Sequence, residues 1–249
     1  MAGHSKWAQI KRKKAKTDDA RGKVFTKMAR EIMVAVREGR SSDLNGNFRL
    51  RQAVTRAKAS GLPSDNIERA IQKGMGALTG DKFESIQYEG YGPGGVAVMI
   101  DALTDNRNRT AGDIRSYFNK CNGNLGETGS VNWMFSKKGL LRINEVEDPD
   151  SLMMEALEAG AEDLREDGET QEVLTTPEEF ETVVTALQDK YQLESSEVSY
   201  LPINTVNVSD TDVAKKLLKL LDLLEEHDDV QAVYANFEMD DAVLAALEA

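Results

Sequence analysis

Residues 139–201 read GLLRINEVEDPDSLMMEALEAGAEDLREDGETQEVLTTPEEFETVVTALQDKYQLESSEVSYL. Residues 139–144 suit a strand. Asp148-Pro149 supplies a cap and a first-turn proline for a helix carrying Leu152, Met153, Ala156 and Leu157, and Gly160 ends it. Short strands near 161–166 and 171–175 flank a turn at Asp167-Gly168. Thr176-Pro177-Glu178-Glu179 reads as a second helix start, with Phe180, Val183, Val184 and Leu187 as the buried face. A strand over 194–201 completes the order β-α-β-β-α-β, the split ferredoxin-like arrangement.

On the C-terminal side, residues 204–208 read as a strand. Ser209 with Asp212 reads as a capping box for a helix over 210–226, and 230–237 (VQAVYANF) as a further strand. Leu217, Leu218, Leu220, Leu221, Leu223 and Leu224 cover too wide an arc for a coiled-coil seam, which favours burial against a sheet over an oligomerisation helix. Such a tail cannot form a sheet alone. It is expected to pair with residues 79–135, where strands at 83–90 and 96–103 flank Tyr91-Gly92-Pro93-Gly94-Gly95, a helix covers 108–121 with Ile114, Tyr117 and Phe118 inward, and 131–135 (VNWMF) could add a strand.

The first 78 residues are helical in pattern. A helix over 18–38 places Phe25, Met28, Ala29, Ile32 and Val36 on one face and stops at Gly39. A second covers 47–59 through Leu50, Val54 and Ala57. A third opens at Leu62-Pro63-Ser64-Asp65, with Asp65 and Glu68 as a capping box, Ile67, Ala70 and Ile71 buried and Gly74 closing. The expected fold class is therefore α+β and multidomain: a helical N-terminal domain (1–78), a discontinuous α/β domain (79–135 with 203–249) and an inserted ferredoxin-like unit (136–202).

Charge divides the same chain differently. The 249 residues carry 31 Lys and Arg against 43 Asp and Glu, a net charge of −12. Residues 1–75 alone hold 18 basic and 7 acidic side chains, a net of +11, which leaves −23 on the rest. A segregated basic end on an acidic body implies a local, oriented contact with a polyanion; the plain alternative is a solvated tail. Lys6, Lys11, Arg12, Lys13, Lys14 and Lys16 can neutralise phosphates, as can Arg21, Lys23, Lys27 and Arg30 on the first helix. Trp7 can stack on an exposed base or pack the arm onto the body. His4 and Ser5 can hydrogen-bond phosphates or base edges. A second cluster, Thr104-Asp105-Asn106-Arg107-Asn108-Arg109-Thr110, sits where a strand hands over to a helix. With Thr110 and Asp113 as a capping box, Arg107 and Arg109 fall just outside the positive end of the helix dipole, a placement that suits a recruited anion. The alternative is that each pairs with a nearby acid such as Asp105.

Other chemistries fail on residue types. Cys121 is the single cysteine, so no internal disulfide or Cys-rich zinc site can form, and a small buried thiol is its expected role. His4 and His227 lie in unrelated contexts without a nucleophile motif. Gly90-Tyr91-Gly92-Pro93-Gly94-Gly95 lacks the Gly-Lys-Ser/Thr of a phosphate loop and joins strand to strand. Gly123, Gly126 and Gly129 mark a loop that could approach RNA closely. No apolar stretch reaches membrane-span length, and no secretory signal follows the basic start. The abundant carboxylates leave a metal-dependent nuclease as the competing enzymatic class, although they read as a solvated acidic surface. The expectation is a cytoplasmic, monomeric, non-enzymatic protein with no metal, no cofactor and no membrane partner.

Four segments carry a resemblance: MAGHSKWAQIKRKKAKTDDARGKVFTKMAREI at 1–32, LPSDNIERAIQKG at 62–74, YEGYGPGGVAVMIDALTDNRNRTAGDIRSYFNK at 88–120 and GNLGETGSVNWMF at 123–135. The chain resembles the YebC/PmpR family, which also includes the mitochondrial translational activator of cytochrome c oxidase. Cys121-Asn122-Gly123 departs from the Gly-Gly pair more usual there. The resemblance implies three domains, a cytoplasmic bacterial protein and no enzymatic activity. It implies either a DNA-binding transcriptional regulator or a ribosome-associated translation factor that binds ribosomal RNA and relieves stalls at proline-rich sequences.

Overall fold

The alternating stretch that decides the fold closes on itself in the computed structural model, which describes residues 18–76, 83–168 and 170–248. Strands β4 (Phe135–Asn144), β5 (Asp163–Asp167), β6 (Thr170–Thr175) and β7 (Leu193–Pro202) form an antiparallel sheet in the order β5-β6-β4-β7. Helices α5 (Pro149–Ala159) and α6 (Phe180–Leu187) bury Leu152, Ala156, Phe180, Val183 and Leu187 against Leu141, Ile143 and Val173. Asp148 caps α5 by accepting from Ser151 N–H, and Gly160 ends it at φ 107°. α6 begins at Phe180, later than Thr176-Pro177 suggests. Thr176 Oγ1 accepts from Glu179 N–H (3.2 Å), which holds residues 177–179 as a turn before the helix.

The second sheet, in the order β3-β1-β2-β9, is also antiparallel. Its strands are β1 (Glu84–Tyr91), β2 (Ala97–Thr104), β3 (Asn124–Leu125) and β9 (Val230–Ala235). Helices α4 (Arg107–Lys120) and α7 (Thr211–Glu226) cover one face, with Ile114, Phe118, Leu217, Leu220 and Leu224 packed on Val98 and Ile100. The alternate β2 residues Ala97 and Met99 pack on the other face with Val131 and Phe135. Burial on both faces is why β2 reads as a nearly continuous apolar run. β8 (Val206–Val208) pairs in parallel with β10 (Phe237–Met239), and α8 (Asp241–Glu248) ends the described chain.

Some local expectations need correction. The 230–237 strand is broken at Asn236, whose Oδ1 accepts from Ala97 N–H (2.7 Å) and whose Nδ2 donates to the Asn204 carbonyl (3.2 Å). Asp210, not Ser209, caps α7, accepting from the Asp212 and Val213 amides. VNWMF contributes a 3-10 turn (Asn132–Met134) rather than a strand of its own. The periodicity gives no sign of α8.

The head comprises α1 (Asp18–Gly39), α2 (Phe48–Ala59) and α3 (Ser64–Gly76) around Ile32, Val36, Leu50, Val54 and Ile67. Asn47 caps α2, accepting from Leu50 N–H. Asp65 lies inside the first turn of α3, so it is not the cap of that helix. Gly74 does not close α3, which runs on to Gly76. A Cβ there would fall 2.8 Å from Val36 Cβ and 3.0 Å from the Met33 carbonyl, so glycine at this position lets α1 and α3 approach closely.

Candidate nucleic-acid interface

Lys27 and Arg30 lie three residues apart on one face of α1, and that face meets the end of α7. α7 has no basic residue in its last turn and ends in Glu225 and Glu226, leaving the negative end of its dipole uncompensated from within. Lys27 Nζ donates to the Glu225 carbonyl there. Arg30 Nη1 donates to the Asp228 carbonyl (2.7 Å) and to Asp229 Oδ1 (2.7 Å). The head thus supplies the cations that the body's helix end lacks.

Asp229 is the centre of this contact. Its side chain is 3% exposed. Oδ2 accepts from Arg109 Nη2 (2.8 Å) and the Thr110 hydroxyl (2.8 Å), with the Thr104 hydroxyl at 3.2 Å. Burial pushes its pKa up, but hydrogen bonds from Arg109, Thr110 and Arg30 outweigh that and bring it down to about 2. Its amide donates to His227 Nδ1 (3.1 Å), and His227 Nε2 lies 3.3 Å from Asp113 Oδ2. One carboxylate therefore joins α1 to α4 and to the entry of β9.

Of the residues assigned from sequence, His4, Ser5, Lys6, Trp7, Lys11, Arg12, Lys13, Lys14 and Lys16 lie outside the described residues, as do the side chains of Arg21 and Lys23. Lys27, Arg30 and Arg109 converge on the Asp229 region. The cap of α4 is Asn106, which accepts from Arg109 N–H (3.1 Å), and not Thr110, whose hydroxyl is turned to Asp229. Arg107 and Arg109 consequently lie within the first turn. Arg109 takes the alternative foreseen for it, pairing with Asp105 (2.8 Å), and adds Asp229. Arg107 is exposed and makes no ion pair among the described residues. The crevice around the cluster, about 490 Å³, is lined by two arginines and five carboxylates. That balance repels a phosphate, so Arg30 and Arg109 in this arrangement serve the head-to-body contact.

A second buried carboxylate organises the glycine-rich loop. Glu89, on β1, is 2% exposed. Oε1 accepts from Gly129 N–H (2.7 Å), and Oε2 from Val131 and Asn132 N–H (2.8 Å each). Gly129 adopts φ 89°, the left-handed region that favours glycine. Nothing in YEGYG distinguishes Glu89 from a solvated strand residue. The alternation there would place one of Tyr88 or Glu89 inward, and burial of an acid is the less usual choice. Asp229 is equally hidden, within the charged run HDD that precedes β9.

Cys121 is buried at the end of α4, and burial pushes its thiol pKa up, as suits an inert packing residue. Among the described residues no group of three or more His, Cys, Asp or Glu is arranged to hold a metal ion, and no helix is long and apolar enough to cross a membrane.

Comparison with known proteins matches residues 5–77 to the TACO1/YebC protein N-terminal domain and residues 83–237 to the TACO1/YebC second and third domain. The chain belongs to the TACO1/YebC family. Proteins from Desulfitobacterium hafniense and Natranaerobius thermophilus, each named "Probable transcriptional regulatory protein", are 53% identical to it, covering 98% of this chain and 98% and 99% of their own. A crystal structure of a conserved hypothetical protein from Aquifex aeolicus superposes with a TM-score of 0.82 at 46% identity, over 91% of this chain and 94% of that one. In the terms of this TACO1/YebC division, the Asp229 contact spans the two matched regions: Arg30 belongs to the first, Arg109 and Asp229 to the second.

Proposed function

We propose that the protein is a non-enzymatic, nucleic-acid-binding regulator of gene expression acting in the cytoplasm as a monomer. The observation that carries this reading is the segregation of charge, +11 on residues 1–75 and −23 on the remainder. A polyanion is drawn to one end of the molecule and repelled from the other, which fixes orientation on a nucleic acid. The names of the relatives support regulation of transcription. The arm, from His4 to Lys16, with Arg21, Lys23 and Arg107, supplies the phosphate and base contacts, while Lys27, Arg30 and Arg109 hold head and body in register.

A second reading, a translation factor on ribosomal RNA, is favoured by the acidic body. A surface of that charge is repelled along a uniform duplex, whereas an irregular RNA pocket can accept the basic end alone. Crosslinking in cells, with sequencing of both bound DNA and bound RNA, separates the two. Promoter peaks without RNA sites support transcription, and discrete ribosomal RNA sites support translation. Replacing Lys11, Arg12, Lys13 and Lys14 with Ala should weaken binding and flatten its salt dependence by roughly 0.7–0.9 of slope for each phosphate no longer neutralised. Unchanged binding at every salt concentration would reduce the arm to a solvated tail.

A further inference from the structure

Trp133 is 63% exposed, yet the backbone that carries it is held on both sides. Val131 and Phe135 are buried to 0% and 7% exposure. Glu89 binds the amides of Val131 and Asn132 just before it, and Met134 N–H closes the turn onto the Val131 carbonyl (2.9 Å). The indole itself is fixed, because Nε1 donates to the Ser130 carbonyl (3.2 Å), which also accepts from Tyr91 Oη (3.2 Å). With its one polar atom engaged internally, the ring offers a partner its face and little else. An immobilised aromatic left in water forgoes the stabilisation that burial of so large an apolar surface would bring, so exposure of this kind points to contact with something else.

The charge nearby indicates what that is. Residues 119–138 carry three lysines and one acid, Glu127; Lys120 and Lys137 are exposed, while Lys138 is ion-paired with Glu162 (2.5 Å). Two exposed lysines against one acid leave this stretch weakly basic in a body that is otherwise strongly acidic. Glu89 adds no free negative charge at the surface, since both its oxygens are turned inward onto amides. A flat apolar face on a weakly basic stretch matches a base attached to a phosphodiester chain.

We propose that Trp133 is a stacking platform for one unpaired nucleobase of a single-stranded nucleic acid, preorganised by Glu89 and Ser130, with the exposed Lys120 and Lys137 of the same stretch neutralising phosphates of that strand. The proposal rests on the nucleic-acid reading above and adds a contact point on the body, separate from the arm. Two measurements test it. In a Trp7→Phe background Trp133 is the sole tryptophan, and its emission should be quenched by a short oligoadenylate but not by an abasic oligonucleotide of the same length. In the otherwise unaltered chain, Trp133→Ala should bind the oligoadenylate about 5- to 150-fold more weakly and Trp133→Phe should recover part of the affinity, with melting temperature unchanged. Binding with unaltered Trp133 emission, and equal affinity for Trp133→Ala, would overturn the platform and leave the nucleic-acid reading standing. Absence of binding of either oligonucleotide, or of ribosomal RNA fragments, to the unaltered protein at any salt would overturn both.

Discussion

Asp229 and Glu89 are both buried carboxylates, and they are neutralised in different ways. Asp229 faces two guanidiniums and two threonine hydroxyls, all on side chains and one of them from the head. Glu89 faces three backbone amides of one loop and, among its hydrogen bonds, no cation. Side-chain donors can swing to water when their acceptor is removed. Backbone donors in a tight loop cannot do so without the loop unfolding. The first arrangement therefore suits a joint between two bodies, and the second suits a rigid local scaffold.

Removing Glu89 should have the larger effect. Glu89→Ala orphans three amides, and at about 1.5–3 kcal/mol for a hydrogen bond to a charged group, with partial rescue by water, the expected destabilisation is about 3–5 kcal/mol. Urea melts would give this value, and hydrogen exchange should show reduced protection at Gly129, Val131 and Asn132. Glu89→Gln should fall between, because its amide nitrogen presents a donor to a donor. If Glu89→Ala melted like the unaltered protein, the scaffold account would be wrong.

Asp229→Ala comes next, at about 2–3 kcal/mol, less than a fully buried pair because the arginines can reach solvent. Its signature should be loosening of head from body, seen as separate unfolding transitions for the two. Acid should reproduce this. The folded-state pKa of about 2 lies below the ordinary 3.8, so the carboxylate's stabilisation is complete above roughly pH 5 and disappears as pH falls through about 2. Allowing for solvent screening at its partly exposed partners, this contributes about 1–2 kcal/mol. Asp229→Asn should abolish that part of the pH dependence. An unchanged acid melt in Asp229→Asn would place the titration elsewhere.

The smallest effects separate Arg107 from Arg109. Arg109→Ala should lower the melting temperature and leave affinity intact in the folded fraction, because it removes a bond to Asp229. Arg107→Ala should leave the melting temperature unchanged, or raise it slightly by removing a positive charge from the first turn of α4, while weakening nucleic-acid binding modestly. Matched melts and titrations on the two variants check this, and identical behaviour would show that the joint does not distinguish them.

The elements with strong period or caps are legible in the chain. Asp148-Pro149 and Gly160 mark α5 to the residue, and the order of strands and helices over 139–201 gives the ferredoxin-like sheet. What escapes is set by tertiary contacts. Gly74 looks like a helix stop and is a packing notch against Val36. Asn236 looks like a strand residue and leaves the ladder to bond Ala97 and Asn204. At the candidate interface, local pattern marks Arg30 and Arg109 as unusual but cannot find Asp229, which lies 199 residues from one and 120 from the other. The side chain that determines what those arginines do is invisible to any local pattern.

The placement of β9 beside β2 has a consequence for synthesis. β2 leaves the ribosome roughly 130 residues before its neighbour is complete, a delay of roughly 6–25 s at typical elongation rates. During that time the ferredoxin-like unit, whose strands are contiguous in the chain, can close by itself. The apolar, double-sided β2 meanwhile waits with an unpaired edge. The nascent chain is most open to aggregation and chaperone capture in this interval, and slow codons or truncations upstream of Val230 should lower soluble yield more than the same changes placed after Ala235.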